Sequence, residues 1–216
     1  MRKFLLVIVM LVLAGLACNL PYQSREVDIP EVNEPVDDFR VESRILGEDQ
    51  IRIAVPDSYF VGDAGPGLDD LLGGIDLAGV PLSQELQGLL ENTQDDILLW
   101  GYDAGSTSGI PTSFVVLKND QFAAVPLGTI STFAGSLFGD NVTIIEEQRV
   151  TIAGRDTLRW VTVTGEAGVE FTQAVYLFKE SGTLYIIGFN ADQQEVYAQL
   201  SVYDTIVASL TIEDLN

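Results

Sequence analysis

The sequence predicts an α+β domain, in which a mostly antiparallel sheet of about six strands is covered by two or three helices. Short segments that alternate apolar and polar residues recur through the second half of the chain, and this pattern is typical of strands. Links of hairpin length at residues 154–156, 166–168 and 180–182 join them, which enforces antiparallel pairing. Other segments repeat apolar residues at helical spacing, and these helices must cover the faces of the sheet.

The first half of the domain is predicted to hold three strands and one helix. Ile51, Ile53 and Val55 alternate with other residues up to Pro56, which indicates a half-buried strand. A Gly-rich segment, residues 62–79, follows it. A helix is predicted over residues 81–96, because Pro81 and Ser83 are typical of a helix start. The other two strands are predicted at residues 97–102 and 113–118.

The second half is predicted to run from helix to strands to helix. Apolar residues recur at helical spacing over residues 127–138, before a glycine. A long C-terminal helix is predicted from the apolar face of Val196, Leu200, Tyr203, Val207 and Leu210. The strands between them are predicted at residues 142–145, 150–153, 157–164, 171–179 and 184–189. Trp100 and Trp160 fall on predicted strands and are expected in the core.

The N-terminus has the pattern of an export signal. Arg2 and Lys3 precede fourteen uncharged apolar residues, 4–17. As a helix this run would span roughly 21 Å, which is short for a bilayer core of about 30 Å and normal for a signal peptide. Cys18, the only cysteine of the chain, follows directly. The stretch resembles a bacterial lipoprotein signal, in which such a thiol is alkylated by diacylglycerol and becomes the new N-terminus.

Two other interpretations of this boundary stay open. Gly15-x-Ala17 also suits ordinary signal peptidase, which would leave Cys18 free, and residues 4–20 could remain uncleaved as an anchor. The domain organisation that we expect is a signal peptide at 1–17, a lipidated N-terminus with an acidic, proline-containing tether at 18–47, and a globular domain at 48–216. A flexible coil of the tether's length reaches roughly 25–30 Å.

The charge of the chain excludes some partners. It has 32 acidic and 11 basic residues, a formal net charge of −21, and loss of Arg2 and Lys3 makes it more negative. Such a surface is repelled by nucleic acid and by anionic lipid headgroups. Solubility is a sufficient explanation of the charge, and a cationic partner is the alternative.

No catalytic motif is found. Histidine is absent, which excludes Ser-His-Asp and Cys-His catalysis and zinc sites that need histidine. The stretch GSTSG at residues 105–109 has threonine where a nucleophile elbow has serine. Lys118 and Lys179 stand beside predicted turns, where lysine is usually solvated, and there is no phosphate-binding Gly-rich loop. The sequence therefore predicts no enzyme and no cofactor, with an unrecognised hydrolase as a remote alternative.

The Gly-rich segment is the candidate loop for a partner or a cation. It contains Asp63, Asp69, Asp70 and Asp76. Calcium needs six to eight converging oxygen ligands, and the spacing does not match an EF-hand, so no metal ligand is assigned. Long loops on small domains often carry binding sites. A solvated linker is the simpler interpretation of this segment.

The order of elements resembles PsbP-like domains, which include lipid-anchored bacterial members. The resemblance is carried by IAVPDSYF, LGTISTFAGSLF, VTIIEEQRVTIAGRDTLRWVTVT, VYLFKESGTLYIIGF and EVYAQLSVYDTIVASLTI, and covers about residues 48–212. Ile152-Ala153-Gly154 matches an aliphatic-x-Gly step of the family, while Ser58-Tyr59 stands where the family usually has Gly-Trp. The resemblance implies an α/β/α sandwich and an accessory or assembly role beside a membrane complex.

These observations predict a lipid-anchored, extracytoplasmic domain that docks a protein partner at the membrane surface. The alternative is a lipoprotein that binds a small ligand or a divalent cation through the acidic loop. The identity of a partner and the oligomeric state are not encoded in any motif.

Overall fold

The computed structural model describes residues 27–29, 38–46, 49–63, 96–106, 112–120, 122–137, 142–166 and 169–214. These residues form an α+β fold, as predicted. The strands are β1 (Val27–Ile29), β2 (Phe39–Leu46), β3 (Asp49–Pro56), β4 (Tyr59–Asp63), β5 (Ile97–Asp103), β6 (Ser113–Asn119), β7 (Val142–Ile152), β8 (Arg155–Glu166), β9 (Val169–Glu180), β10 (Thr183–Ala191) and β11 (Thr211–Asp214). The helices are α1 (Leu127–Leu137) and α2 (Gln193–Ser209).

The strands form two sheets. The large sheet has eight strands in the order β1-β7-β8-β9-β10-β6-β5-β4, and the small sheet has three in the order β11-β3-β2. All neighbours are antiparallel except β1, which runs parallel to β7. The chain crosses from the small sheet to the large one between Pro56 and Tyr59.

Two tight hairpins hold the centre of the large sheet in register. Ala153 and Gly154 connect β7 to β8, and Ser181 and Gly182 connect β9 to β10. All four residues have positive φ, between 50° and 84°. This conformation is that of the two-residue type I′ turn, whose twist matches that of the flanking strands.

Each face of the large sheet has its own apolar core. The inner face packs against α2 and β3, and its cluster includes Ile53, Tyr176, Phe189, Tyr203 and Val207. The outer face packs against α1, and the buried residues of that cluster are Leu127, Ile130, Leu158, Trp160, Val175, Leu177 and Leu184. Trp100 and Trp160 are both buried, which confirms the prediction from the sequence.

Helix α2 is fixed at both ends. The Asp192 carboxylate accepts a hydrogen bond from the Glu195 backbone N–H at 3.0 Å, which is an N-cap. At the other end, the Arg155 guanidinium donates to the carbonyls of Val207 and Leu210 and lies 4.5 Å from the centre of the Phe178 ring. A cation is favourable at a helix C-terminus because the carbonyl groups there carry partial negative charge.

Three predictions about the strands need correction. The strands predicted at 142–145 and 150–153 form one strand, β7, which continues through a bulge between Ile144 and Glu146 and ends at Ile152. Strands β1 and β4 of the large sheet and β11 of the small sheet were not predicted. Residues 27–29 and 39–46, assigned to the tether, form β1 and β2 and pair with β7 and β3, so the domain begins before residue 48. The predicted helix at 81–96 lies outside the described residues, apart from residue 96.

Candidate functional site

Most of the site residues predicted from the sequence lie outside the described residues. This applies to Cys18, Asp69, Asp70 and Asp76. Asp63 is the last residue of β4, where its backbone is paired with that of Leu99. Within the described part of the chain, no group of three or more Asp, Glu, Cys or His side chains is arranged to hold a metal ion. That the acidic loop binds a partner or a cation therefore stays a prediction.

A buried ion pair on the inner face joins α2 to the large sheet. Arg159 on β8 donates from Nη1 to both carboxylate oxygens of Asp204 on α2, at 2.9 and 2.8 Å. Its Nη2 donates to Gln148 Oε1 on β7, and the Tyr176 hydroxyl on β9 donates to Asp204 Oδ1 at 2.7 Å. Each member bonds another, so the group connects three strands to the helix.

Burial and charge set the acid–base properties of this group. Burial raises the pKa of the Tyr176 hydroxyl well above its usual value, and the Asp204 carboxylate adds to the rise. Burial opposes ionisation of Arg159, but the Asp204 charge raises its pKa overall. Arg159 therefore stays charged and Tyr176 stays neutral, which makes the group a fixed structural connection.

A second polar group lies at the N-terminal end of α2. The buried Thr112 hydroxyl donates to the Glu195 carboxylate at 2.7 Å, and the Thr112 carbonyl accepts from the Asp103 backbone N–H at 2.8 Å. Burial raises the pKa of both Tyr59 and Tyr203 nearby. The negative charges of Asp103 and Glu195 add a smaller rise to the pKa of each hydroxyl. This group holds the end of β5, the start of β6 and the start of α2 together.

Polar side chains on the outer face of the large sheet form a line that crosses the strands. Thr162, Gln173, Asn190 and Ser113 are register partners on β8, β9, β10 and β6. Gln173 Nε2 donates to Asn190 Oδ1 at 2.6 Å, and Thr162 Oγ1 donates to Gln173 Oε1 at 3.4 Å. Thr162 is buried, whereas the other three are half-buried. They lie at the opposite end of these strands from the α1 contacts.

Aromatic rings continue this line towards the edge of the sheet. Ser113 pairs with Tyr102 on β5, and Tyr102 pairs with Phe60 on β4. The side chains of Phe60 and Tyr102 are 51% and 37% exposed, and their ring centres are 5.6 Å apart. Below them the buried Trp100 stacks on Tyr102, with an angle of 12° between the ring planes.

The outward face of β2 carries two exposed aliphatic side chains. Val41 and Ile45 are 58% and 66% exposed. The other face of the same strand points inward and carries Arg40, Glu42 and Arg44, joined by ion pairs of 2.9 and 3.0 Å. Arg40 also donates to the carbonyls of Pro56, Asp57 and Tyr59, which fixes β2 to the crossing between the sheets.

Sequence patterns gave little sign of these polar groups. In β8, Arg159 alternates with Leu158 and Trp160, a pattern that suggests a solvated side chain on a half-buried strand. Both faces of β8 are covered, so Arg159 is buried instead. The line from Thr162 to Phe60 depends on register between strands that are far apart in sequence, and no local signal predicts it.

Comparisons with known proteins give structural similarities only. No family model and no curated protein matches the chain. It is similar to LpqN, a protein involved in cell envelope biogenesis in Mycobacterium tuberculosis, at 13% identity and a TM-score of 0.46, over 82% of this chain and 92% of that one. It is also similar to PsbP from the cyanobacterium Synechocystis, at 12% identity and a TM-score of 0.45, over 84% and 96%.

A third similar structure is a protein of unknown function from Pseudomonas aeruginosa, at 9% identity and a TM-score of 0.43, over 79% of this chain and 96% of that one. These values are too low to assign a family or a function. No helix within the described ranges has both the length and the apolar composition needed to span a bilayer.

Proposed function

We propose that this protein is a lipid-anchored, extracytoplasmic domain without catalytic activity that docks a protein partner at the membrane surface. Diacylglycerol on Cys18 provides the anchor. Two or three acyl chains give lasting attachment, since each buried methylene contributes about 0.8 kcal/mol. The partner is a protein of a membrane complex within reach of the tether.

The observation that carries the docking proposal is the outward face of β2. Val41 and Ile45 expose most of their side chains there, opposite Ala54 and Gln50 on β3. β2 is an edge strand of the small sheet. Its inward-facing charges are of the kind that protects edge strands from adding further strands. A partner is therefore expected to pack onto the aliphatic face of β2.

The position of β2 supports docking close to the membrane. β2 begins at Phe39, about twenty residues after Cys18. The chain already joins the large sheet at Val27 of β1, so a flexible coil from Cys18 to the domain reaches about 16 Å. The domain is therefore held close to the anchor, and β2 is the second described element from Cys18 along the chain.

The buried polar groups support a scaffold rather than a catalyst. Arg159, Asp204 and Tyr176 bond one another, Arg155 binds the end of α2, and Thr112 bonds Glu195. Each of these contacts joins two elements of the fold. These groups therefore stabilise the position of α2 on the sheet.

Crosslinking in native membranes tests the docking surface. The full chain and the double variant Val41→Ser/Ile45→Ser are expressed in turn, and proteins crosslinked to each are identified. We expect one membrane complex to be enriched with the native chain and lost with the double variant. Ile145→Ser is the matched control, because Ile145 is also exposed but lies on β7. Equal enrichment with all three chains would contradict the proposal.

The anchor is tested separately by mass spectrometry of the mature protein. We expect Cys18 to be the first residue and to carry acyl chains, and we expect Cys18→Ser to move the protein from the membrane fraction to the soluble fraction. An unmodified Cys18 on a released protein would exclude the anchor, without bearing on the docking surface.

A further inference from the structure

The line of polar and aromatic side chains on the outer face of the large sheet has features of a ligand-binding surface. We propose that Phe60, Tyr102, Ser113, Asn190 and Gln173 together bind a neutral oligosaccharide. This site is distinct from the face of β2 and goes beyond the proposed docking function.

The length and direction of the line follow from strand pairing. The five residues are successive register partners on β4, β5, β6, β10 and β9. Neighbouring strands lie about 4.8 Å apart, so the line extends for about 19 Å across four gaps. All five side chains point to the same face, because paired residues share a face of the sheet. The line is elongated and narrow, which suits a short chain of linked sugars.

The two ends of the line offer complementary contacts to a sugar ring. Phe60 and Tyr102 present exposed rings, on which the C–H face of a sugar can pack. Ser113, Asn190 and Gln173 present a hydroxyl and two amides, and each of these groups can both donate and accept hydrogen bonds. Sugar hydroxyls also do both. The bond from Gln173 to Asn190 fixes the two amide planes in advance, which lowers the entropy lost on binding.

The charge of the line argues for a neutral ligand. The chain has 32 acidic residues, yet none of these five side chains is charged. An anionic ligand would be repelled by the rest of the surface, and a cation would find no carboxylate among the five. An extended peptide is disfavoured because the backbone groups of β5, β6, β9 and β10 are already paired on both sides, so the line offers side chains only.

A glycine lies next to the amide end of the line. Gly188 lies on β10 itself, two residues along the strand from Asn190, and pairs with Val115 on β6. A Cβ atom at this position would meet only Val115 Cγ1, at 3.8 Å. The surface beside Asn190 is therefore low, and between the rings and the amides the line carries only the small side chain of Ser113.

The test is direct titration of the full chain in a zwitterionic detergent that contains no sugar. The probes are maltohexaose, cellohexaose and tetra-N-acetylchitotetraose, each measured by calorimetry up to about 10 mM, which covers weak affinities. We expect at least one to bind saturably. We expect Phe60→Ser and Gln173→Ala each to weaken that binding by about tenfold, and Phe60→Tyr to retain it.

NMR signals of individual side chains test whether the sugar binds at the proposed site. The side-chain amide signals of Gln173 and Asn190 are expected to shift on titration, while that of Gln148, which is bonded to Arg159, stays unchanged. Ile45→Ser is the matched surface control and should bind like the native chain. Absence of saturable binding by all three sugars overturns the proposal, as does binding that survives both Phe60→Ser and Gln173→Ala.

Discussion

Polar side chains differ in burial and in hydrogen-bond partners between the two faces of the large sheet. On the inner face, Arg159, Tyr176 and Thr112 are buried, and each is bonded to a residue of α2. On the outer face, Gln173 and Asn190 are bonded to each other and remain half-exposed. The inner groups therefore hold the fold together, whereas the outer groups are those that we propose bind a ligand. Changes on the two faces should accordingly separate stability from binding.

Removing one member of the buried ion pair is expected to have the largest effect on stability. Asp204→Ala leaves the Arg159 guanidinium buried without its carboxylate, and such losses cost about 3–5 kcal/mol. The measurement is the free energy of unfolding in urea. The double variant Arg159→Met/Asp204→Leu removes both charges and should recover a large part of the loss. An Asp204→Ala protein as stable as the native one would show that the pair does not hold α2.

Alanine substitutions at two glycines test how tightly each face of the large sheet is packed at those positions. A Cβ at Gly101 would lie 2.4 Å from the Phe114 ring and 2.6 Å from the Phe60 carbonyl oxygen, on the inner face. Gly101→Ala is therefore expected to cost about 1–3 kcal/mol. Gly188→Ala on the outer face meets only ordinary contacts and should be neutral, or stabilising by up to about 1 kcal/mol because glycine weakens a strand. Equal effects in thermal unfolding would contradict this difference.

Alkaline pH should weaken the inner face through its tyrosines. The pKa of Tyr203 is raised above its ordinary value of 10.0. Between pH 9 and pH 11 the unfolded chain loses this proton while the folded chain keeps it, so stability falls as pH rises. One tyrosine contributes about 1 kcal/mol to this fall. Tyr203→Phe should therefore lose about that much less stability over the same range, measured by urea unfolding at both values. A fall as steep as that of the native chain would contradict the assignment.

The exposed ion pair on β7 and β8 should have the smallest effect. The Arg149 guanidinium lowers the pKa of Asp156 through a hydrogen bond, but their side chains are 49% and 52% exposed. Asp156→Asn is expected to cost less than about 1 kcal/mol at neutral pH. Asp156 has a lower pKa in the folded chain than in the unfolded chain. Its contribution to stability is therefore present above the ordinary carboxyl pKa, and it is lost as pH falls from that value through the lower folded pKa. A loss comparable to that of Asp204→Ala would show that solvent exposure does not weaken the pair.

Local patterns predicted the elements that have an apolar period and a clear turn. β8, β9 and β10 were predicted close to their observed bounds because hairpin residues such as Gly154 and Gly182 mark their ends. β7 was divided in two because Glu146 and Glu147 interrupt the apolar pattern. In the folded chain Glu147 instead accepts a hydrogen bond from Ser131 of α1. The strand β2 was assigned to the tether because its inward-facing positions are charged.

By itself, the sequence determined the α+β class, the order of the main elements, the burial of both tryptophans and the high negative charge. These properties depend on residue type and on short-range spacing. Only the tertiary structure decided that Arg159 is buried against Asp204, that β2 joins a second sheet, and that Phe60 lies in line with Gln173. Each of these depends on contacts between residues far apart in the chain, and strand register, which no local pattern encodes, brings them together.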